Sequence, residues 1–120
     1  MIIASEIKYY KKGDDVREIF VEILQPILKD NVWECTLKMK GYGEVNQNLF
    51  GQSSMQALSF ALQHAKFNLT LMINDGFNYF DADEEKELSQ AETLELLNAT
   101  YGHGTLLDEQ HKKLINEKRI

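Results

Sequence analysis

Three histidines and one cysteine are the first side chains to weigh for nucleophilic, basic or metal-binding chemistry. A catalytic histidine needs a second group that orients it or exchanges its proton. His64 lies between Phe60 and Phe67 at helical spacing, and the sequence sets no such group beside it. It reads as a half-buried histidine bonded to the C-terminal segment or to a neighbouring subunit. The competing reading is a ligand or general base in a pocket near His64. His103 stands between Gly102 and Gly104. Glycines let a backbone approach a ligand closely, but Gly-His-Gly lacks the rest of a phosphate loop and follows a helix end, so an exposed helix cap is expected. His103 and His111 have no cysteine partners and no zinc-ligand spacing. Cys35 occupies an inward strand position. A reactive thiolate needs exposure and a positive neighbourhood, so Cys35 reads as a small core hydrophobe. No catalytic residue, metal site or cofactor is expected.

The acidic groups make the other candidate. Residues 75–95 hold Asp75, Asp81, Asp83, Glu84, Glu85, Glu87, Glu92 and Glu95 against Lys86 alone. Asp81, Asp83, Glu85 and Glu92 fall at calcium-loop positions, but Lys86 stands where that loop's sharp turn needs glycine. A solvated, acidic helix start is the plainer reading. As a surface, the run offers Asp81, Asp83, Glu84 and Glu85 to a basic partner.

Bulk properties bound the class. A chain of 120 residues suggests one α+β domain over 1–120, long enough to bury a core without staples. The 43% hydrophobic and 27% charged fractions are ordinary for a globular protein. A net charge of −6 argues against nucleic acid or anionic membrane as partner. Met1-Ile2-Ile3-Ala4 runs at once into Ser5 and Glu6, with no signal peptide, and no apolar run reaches the ~20 residues of a membrane span. With one cysteine and hence no internal disulfide, the expected location is cytoplasmic.

The elements that must position these groups begin with strands. Residues 2–11 read as a strand with Ile3, Ile7 and Tyr9 on one face. Residues 16–25 put Ile19, Val21 and Ile23 together, and Pro26 ends that strand or marks an edge. Residues 32–40 alternate cleanly, Trp33, Cys35, Leu37 and Met39 against Glu34, Thr36, Lys38 and Lys40. Residues 45–50 follow with Val45 and Leu49 inward. Short connections imply a meander. A helix over 53–74 then lies across the sheet, started by Ser53 with Gln56 and stopped by Asn74-Asp75-Gly76.

That helix is apolar on two sides. Met55, Leu58, Leu62, Ala65, Leu69, Met72 and Ile73 form the stripe for the sheet. Phe60, His64, Phe67 and Leu71 form a second stripe, and Gln56, Ser59, Gln63, Lys66 and Thr70 a polar wedge. The second stripe needs a cover, from the C-terminal segment or from a second subunit. Residues 77–80 read as a short strand or a packed loop. Ser89 with Glu92 caps a short helix carrying Ala91, Leu94 and Leu97, and a last helix is expected over 106–118.

The run Gly51-Gln52-Ser53-Ser54-Met55-Gln56-Ala57-Leu58, continued by Ala61-Leu62 and preceded by Trp33, Gly41 and Gly43, resembles a signature of small bacterial proteins of unknown function, G-x-x-S-x-Q-A-L-x-x-A-L. The resemblance covers residues 16–73. It implies the strand-to-helix arrangement and no activity.

The fold expected is therefore α+β: a four-stranded antiparallel meander, a long helix across one face and a small helical C-terminal part. The function expected is a non-enzymatic protein-interaction module, self-associating as a homodimer or binding a protein partner. One alternative is an immunity or antitoxin-like protein masking a basic toxin through residues 75–95. The other is a small-molecule binder or enzyme with its pocket near His64.

Overall fold

The computed structural model describes residues 1–102, so His103, His111 and the helix expected over 106–118 lie outside the described residues. Its elements are β1 (Ile2–Lys12), β2 (Asp15–Leu24), β3 (Ile27–Lys29), β4 (Val32–Lys40), β5 (Val45–Gly51), α1 (Ser54–Asn74), β6 (Asn78–Asp81), β7 (Lys86–Glu87) and α2 (Gln90–Tyr101). All strand pairs are antiparallel.

The meander is present, with additions. Trp33 and Glu34 pair with β5 on one side and β3 on the other, so β2 and β3 lie along the same edge of β4. They are one strand broken at Pro26. Ile23 faces Leu37 and Ile27 faces Glu34, which leaves three residues opposite two. This is a bulge, the setting in which a sheet tolerates proline. The Leu24 carbonyl it displaces accepts from the Cys35 thiol at 3.3 Å, and the Gln25 N–H donates to the Met1 carbonyl at 2.8 Å. Asp30 and Asn31, both at positive φ, close the β3–β4 hairpin in two residues. Beyond β1, strands β6 and β7 extend the sheet, giving seven strands among the described residues where four were expected. The 77–80 segment is thus mostly strand.

Alternation placed β2 and β4 correctly. Ile19, Val21, Ile23, Cys35, Leu37 and Met39 are buried under α1, with Leu49 of β5. The phase of β1 is the reverse of expectation. Ile3, Ile7 and Tyr9 face the open side, Ile7 with 57% of its surface exposed, and Tyr10 is buried. The β1 register aligns Tyr10 with Tyr79 and Arg17 on the covered side. Glu6 and Lys8, also on that side, are half-buried and pair with each other at 3.2 Å.

Helix α1 lies on the sheet along a seam of alanines. Ala57, Ala61 and Ala65 are fully buried, and Leu69, Met72 and Ile73 continue the line. Met55 does not belong to it: in the first turn it is 80% exposed, while Leu58 and Leu62 are half-buried. Lys66, assigned to the polar wedge, is only 7% exposed. It follows Leu62 by one turn, on the flank where Leu62 shares a cavity with Thr100 and Tyr101 of α2.

The helix ends match their sequence signals. The Ser53 hydroxyl accepts from the Gln56 N–H at 3.0 Å, and Gln56 Oε1 accepts from the Gln52 N–H. The reciprocal bond therefore falls one residue earlier than in a standard capping box. At the other end the Gly76 N–H reaches the Ile73 carbonyl and the Phe77 N–H the Met72 carbonyl. This Schellman stop needs the positive φ that Gly76 supplies. Ser89 and Glu92 make a complete capping box on α2.

Candidate interaction surface

The two edges of the sheet differ. At one edge lies β7, two residues long, Lys86 and Glu87, reached through the exposed turn Asp83-Glu84-Glu85. Short, charged edge strands prevent sheets from pairing with other chains. At the other edge lies β5, seven residues with no proline, no charge and no register shift against β4. Among the described residues β5 pairs with β4 alone, so its outer backbone groups face away from the sheet. Asn46, Gln47, Asn48 and Phe50 are exposed, Phe50 by 57%. The Thr36 hydroxyl donates to Asn48 Oδ1 at 2.9 Å, which fixes the mid-strand side chain.

The neutral surface continues into the helix. Residues 45–65 contain no Asp, Glu, Lys or Arg, the longest such run in the chain. It spans β5 and the first half of α1. Charge depletion is the compositional mark of an interface core. The signal was legible in the sequence, and reading strands by hydrophobic period alone passed over it.

The residues singled out by sequence are distributed as follows. Leu71 is exposed and shares a cavity with Tyr42 and Val45, so the second stripe of α1 faces the β5 side, opposite the flank that α2 covers. Phe60 is half-buried and packs against the core, and His64 and Phe67 are half-buried. Several of the acidic residues are engaged in local structure. Asp81 Oδ1 accepts the N–H groups of Asp83 and Glu84, shaping the β6–β7 turn. Glu92 is held below the usual carboxylate range by the Ser89 backbone N–H and hydroxyl. Asp75 accepts from the Tyr42 hydroxyl at 2.7 Å and pairs with Lys12 at 3.6 Å. Asp83, Glu84 and Glu85 remain as an exposed acidic turn. No group of three or more His, Cys, Asp or Glu among the described residues is arranged to hold a metal ion.

Two polar clusters were not anticipated. The first joins the β4–β5 turn to the C-terminus of α1. Tyr42 stacks edge-on against Phe77 at 5.6 Å, and the Arg17 guanidinium lies 5.4 Å from the Tyr42 ring and 5.0 Å from the Phe77 ring. Arg17 is itself held by Asp15. The Tyr42 hydrogen bond, then Lys12, lower the Asp75 carboxyl below its ordinary value. Each charge has its counter-charge, so the cluster reads as a clasp.

The second cluster borders a cavity of about 230 Å³ between β1, β2, α1 and α2, walled by Glu6, Thr100 and Tyr101 over Val21, Ile23 and Leu62. Lys8 pairs with Glu6 and donates to Thr100 at 3.4 Å. Burial raises the Tyr10 and Tyr101 phenols, and the Glu6 carboxylate adds to both. Burial likewise raises the Cys35 thiol, the opposite of nucleophile activation.

These features define a small α+β domain, a helix laid across a bent meander whose β5 edge has no strand partner on its outer side among the described residues. The chain belongs to the domain-of-unknown-function family DUF6968, matched over residues 6–88, from β1 to β7. No curated protein and no solved structure matches it.

Proposed function

We propose that this protein is a non-enzymatic protein-interaction module that binds its partner along the outer edge of β5 and the neighbouring surface of α1. The observation that carries this reading is the uncharged edge strand β5, unpaired on its outer side among the described residues, in a chain otherwise dense in charge. Edge strands of this kind recruit extended backbone from other chains.

Two other readings have less behind them. The small-molecule reading places its pocket near His64, whereas the cavity under α2 is lined by Glu6 and Tyr101 and not by His64, and at about 230 Å³ it is smaller than the ~300–1,000 Å³ typical of ligand sites. Its charged groups also satisfy one another, which suits a brace between α2 and the sheet. An immunity-like role through the acidic segment draws on Asp83, Glu84 and Glu85 at the β6–β7 turn with Glu87 and Glu95, because Asp75, Asp81 and Glu92 serve local structure.

The test is a photo-reactive amino acid placed at Asn48 in the intact protein, irradiated in the cells that produce it. The expected result is a protein adduct from Asn48 and none from a control site at Glu84. Absence of any adduct from Asn48 refutes the edge as the binding site.

A further inference from the structure

From the symmetry and chemistry of β5 we infer that the occupant of this edge is a second copy of the same chain, paired antiparallel to it across a two-fold axis at Asn48. The inference rests on the interaction-module reading and names its partner. Asn48 is the midpoint of Val45–Gly51. A two-fold through it pairs the whole strand with its copy: Asn48 with Asn48, Gln47 with Leu49, Asn46 with Phe50 and Val45 with Gly51. An antiparallel pair of identical strands is isologous and closes, so it yields a dimer and not a fibre.

Charge selects this occupant. With a net charge of −6, two copies repel at most mutual orientations. Residues 45–65 are themselves uncharged, and the charges nearest to β5 are mixed in sign: Glu44 just before it, and Glu34 and Lys38 of β4 opposite Phe50 and Asn46. A strongly basic or acidic partner would find no surface of a single sign there, whereas an identical strand meets no like charge on β5 itself and gains backbone hydrogen bonds along the strand. On the open side of the sheet the exposed Phe50 ring lies over Asn46 of the second copy, removing apolar surface from water. The opposite side of the sheet ends in Lys86 and Glu87 with the acidic turn, and in the part of β1 before Tyr9, which carries Glu6 and Lys8; neither has these properties.

The experiment uses the full chain and two substitutions at the axis. Asn48→Asp keeps the oxygen that accepts the Thr36 hydroxyl, and Asn48→Lys alters an exposed side chain, so both retain the fold by near-ultraviolet circular dichroism. Light scattering across a dilution series should give a dimer for the unsubstituted chain. Each variant alone places like charges opposite one another and should dissociate at least roughly tenfold more readily. An equal mixture of the two should recover dimers, each containing one copy of either variant. A monomeric unsubstituted chain overturns the inference, as does a dimer indifferent to both substitutions or a mixture that fails to re-form. If the unsubstituted chain is monomeric while Asn48 cross-links to a different protein, the self-pairing is wrong and the interaction module stands. If Asn48 yields no adduct, the module reading itself fails.

Discussion

Gly41 shows how closely single residues are held here. It sits at φ +110°, and a Cβ there would lie 2.2 Å from the Glu18 carbonyl oxygen and 2.8 Å from an Ile19 methyl. Backbone strain and backbone contact act together, and neither can be relieved by a side-chain rotation. Gly41→Ala should therefore cost about 2–3 kcal/mol, read as a Tm loss of roughly 10 °C. Gly43, also at positive φ, meets nothing within 4 Å and tolerates the same change better. The turn glycines were visible in the sequence. The clasp they carry, Tyr42 against Asp75 and Arg17, was not, because its members are separated by long stretches of chain and none has a local pattern.

At the scale of elements, α1 and β5 are joined by a close approach that explains the run over residues 51–62 in physical terms. A Cβ on Gly51 would meet the Ala57 nitrogen at 2.6 Å, so glycine is what lets the helix begin directly above the strand. Ser53 caps it, and Ala57, Ala61 and Ala65 keep its axis low over β4 and β5. Ala61→Leu forces extra volume into that seam and should destabilise by about 1–3 kcal/mol in chemical denaturation, with the transition midpoint reduced. Much of this was legible in advance: the caps, the β4 alternation, the stop at Gly76. The face of β1 was not. IIASEIKYYKK carries large side chains at both parities, and the choice is made by what covers it. With α2 placing Tyr101 and Thr100 near Glu6 and Lys8, a polar set is buried by mutual pairing while Ile7 is left outside. The two short strands after α1 were equally hard to read, since four and two residues give too little periodicity for a strand to announce itself.

Over the whole molecule, the two raised phenols set an alkaline limit to stability. Tyr10 and Tyr101 keep their protons in the folded state well above the ordinary phenol value, and Glu6 contributes to both shifts. Below about pH 10 both groups are protonated whether the chain is folded or not, and their contribution is fully present. As pH rises past that value the unfolded chain releases these protons first, so folding stability falls. Denaturation midpoints should hold level up to about pH 10 and then drop, with the alkaline slope reduced in Tyr10→Phe. A slope unchanged in that variant would show that Tyr10 does not set the limit.

The order of the strands also bears on how the chain is made. Strands β1 to β5 each pair with a neighbour in sequence, so this part of the sheet assembles through local hairpins as it emerges. The other edge of β1 must wait for β6, when Tyr9 at last meets Phe80. Until that late arrival a nascent chain presents Tyr9 and Tyr10 along an unpaired edge, and Ile7 beside them stays uncovered by β6 even afterwards. Lys8, Lys11 and Lys12, interspersed among and just beyond those residues, are the kind of gatekeepers that keep such a strand from joining the wrong neighbour during synthesis.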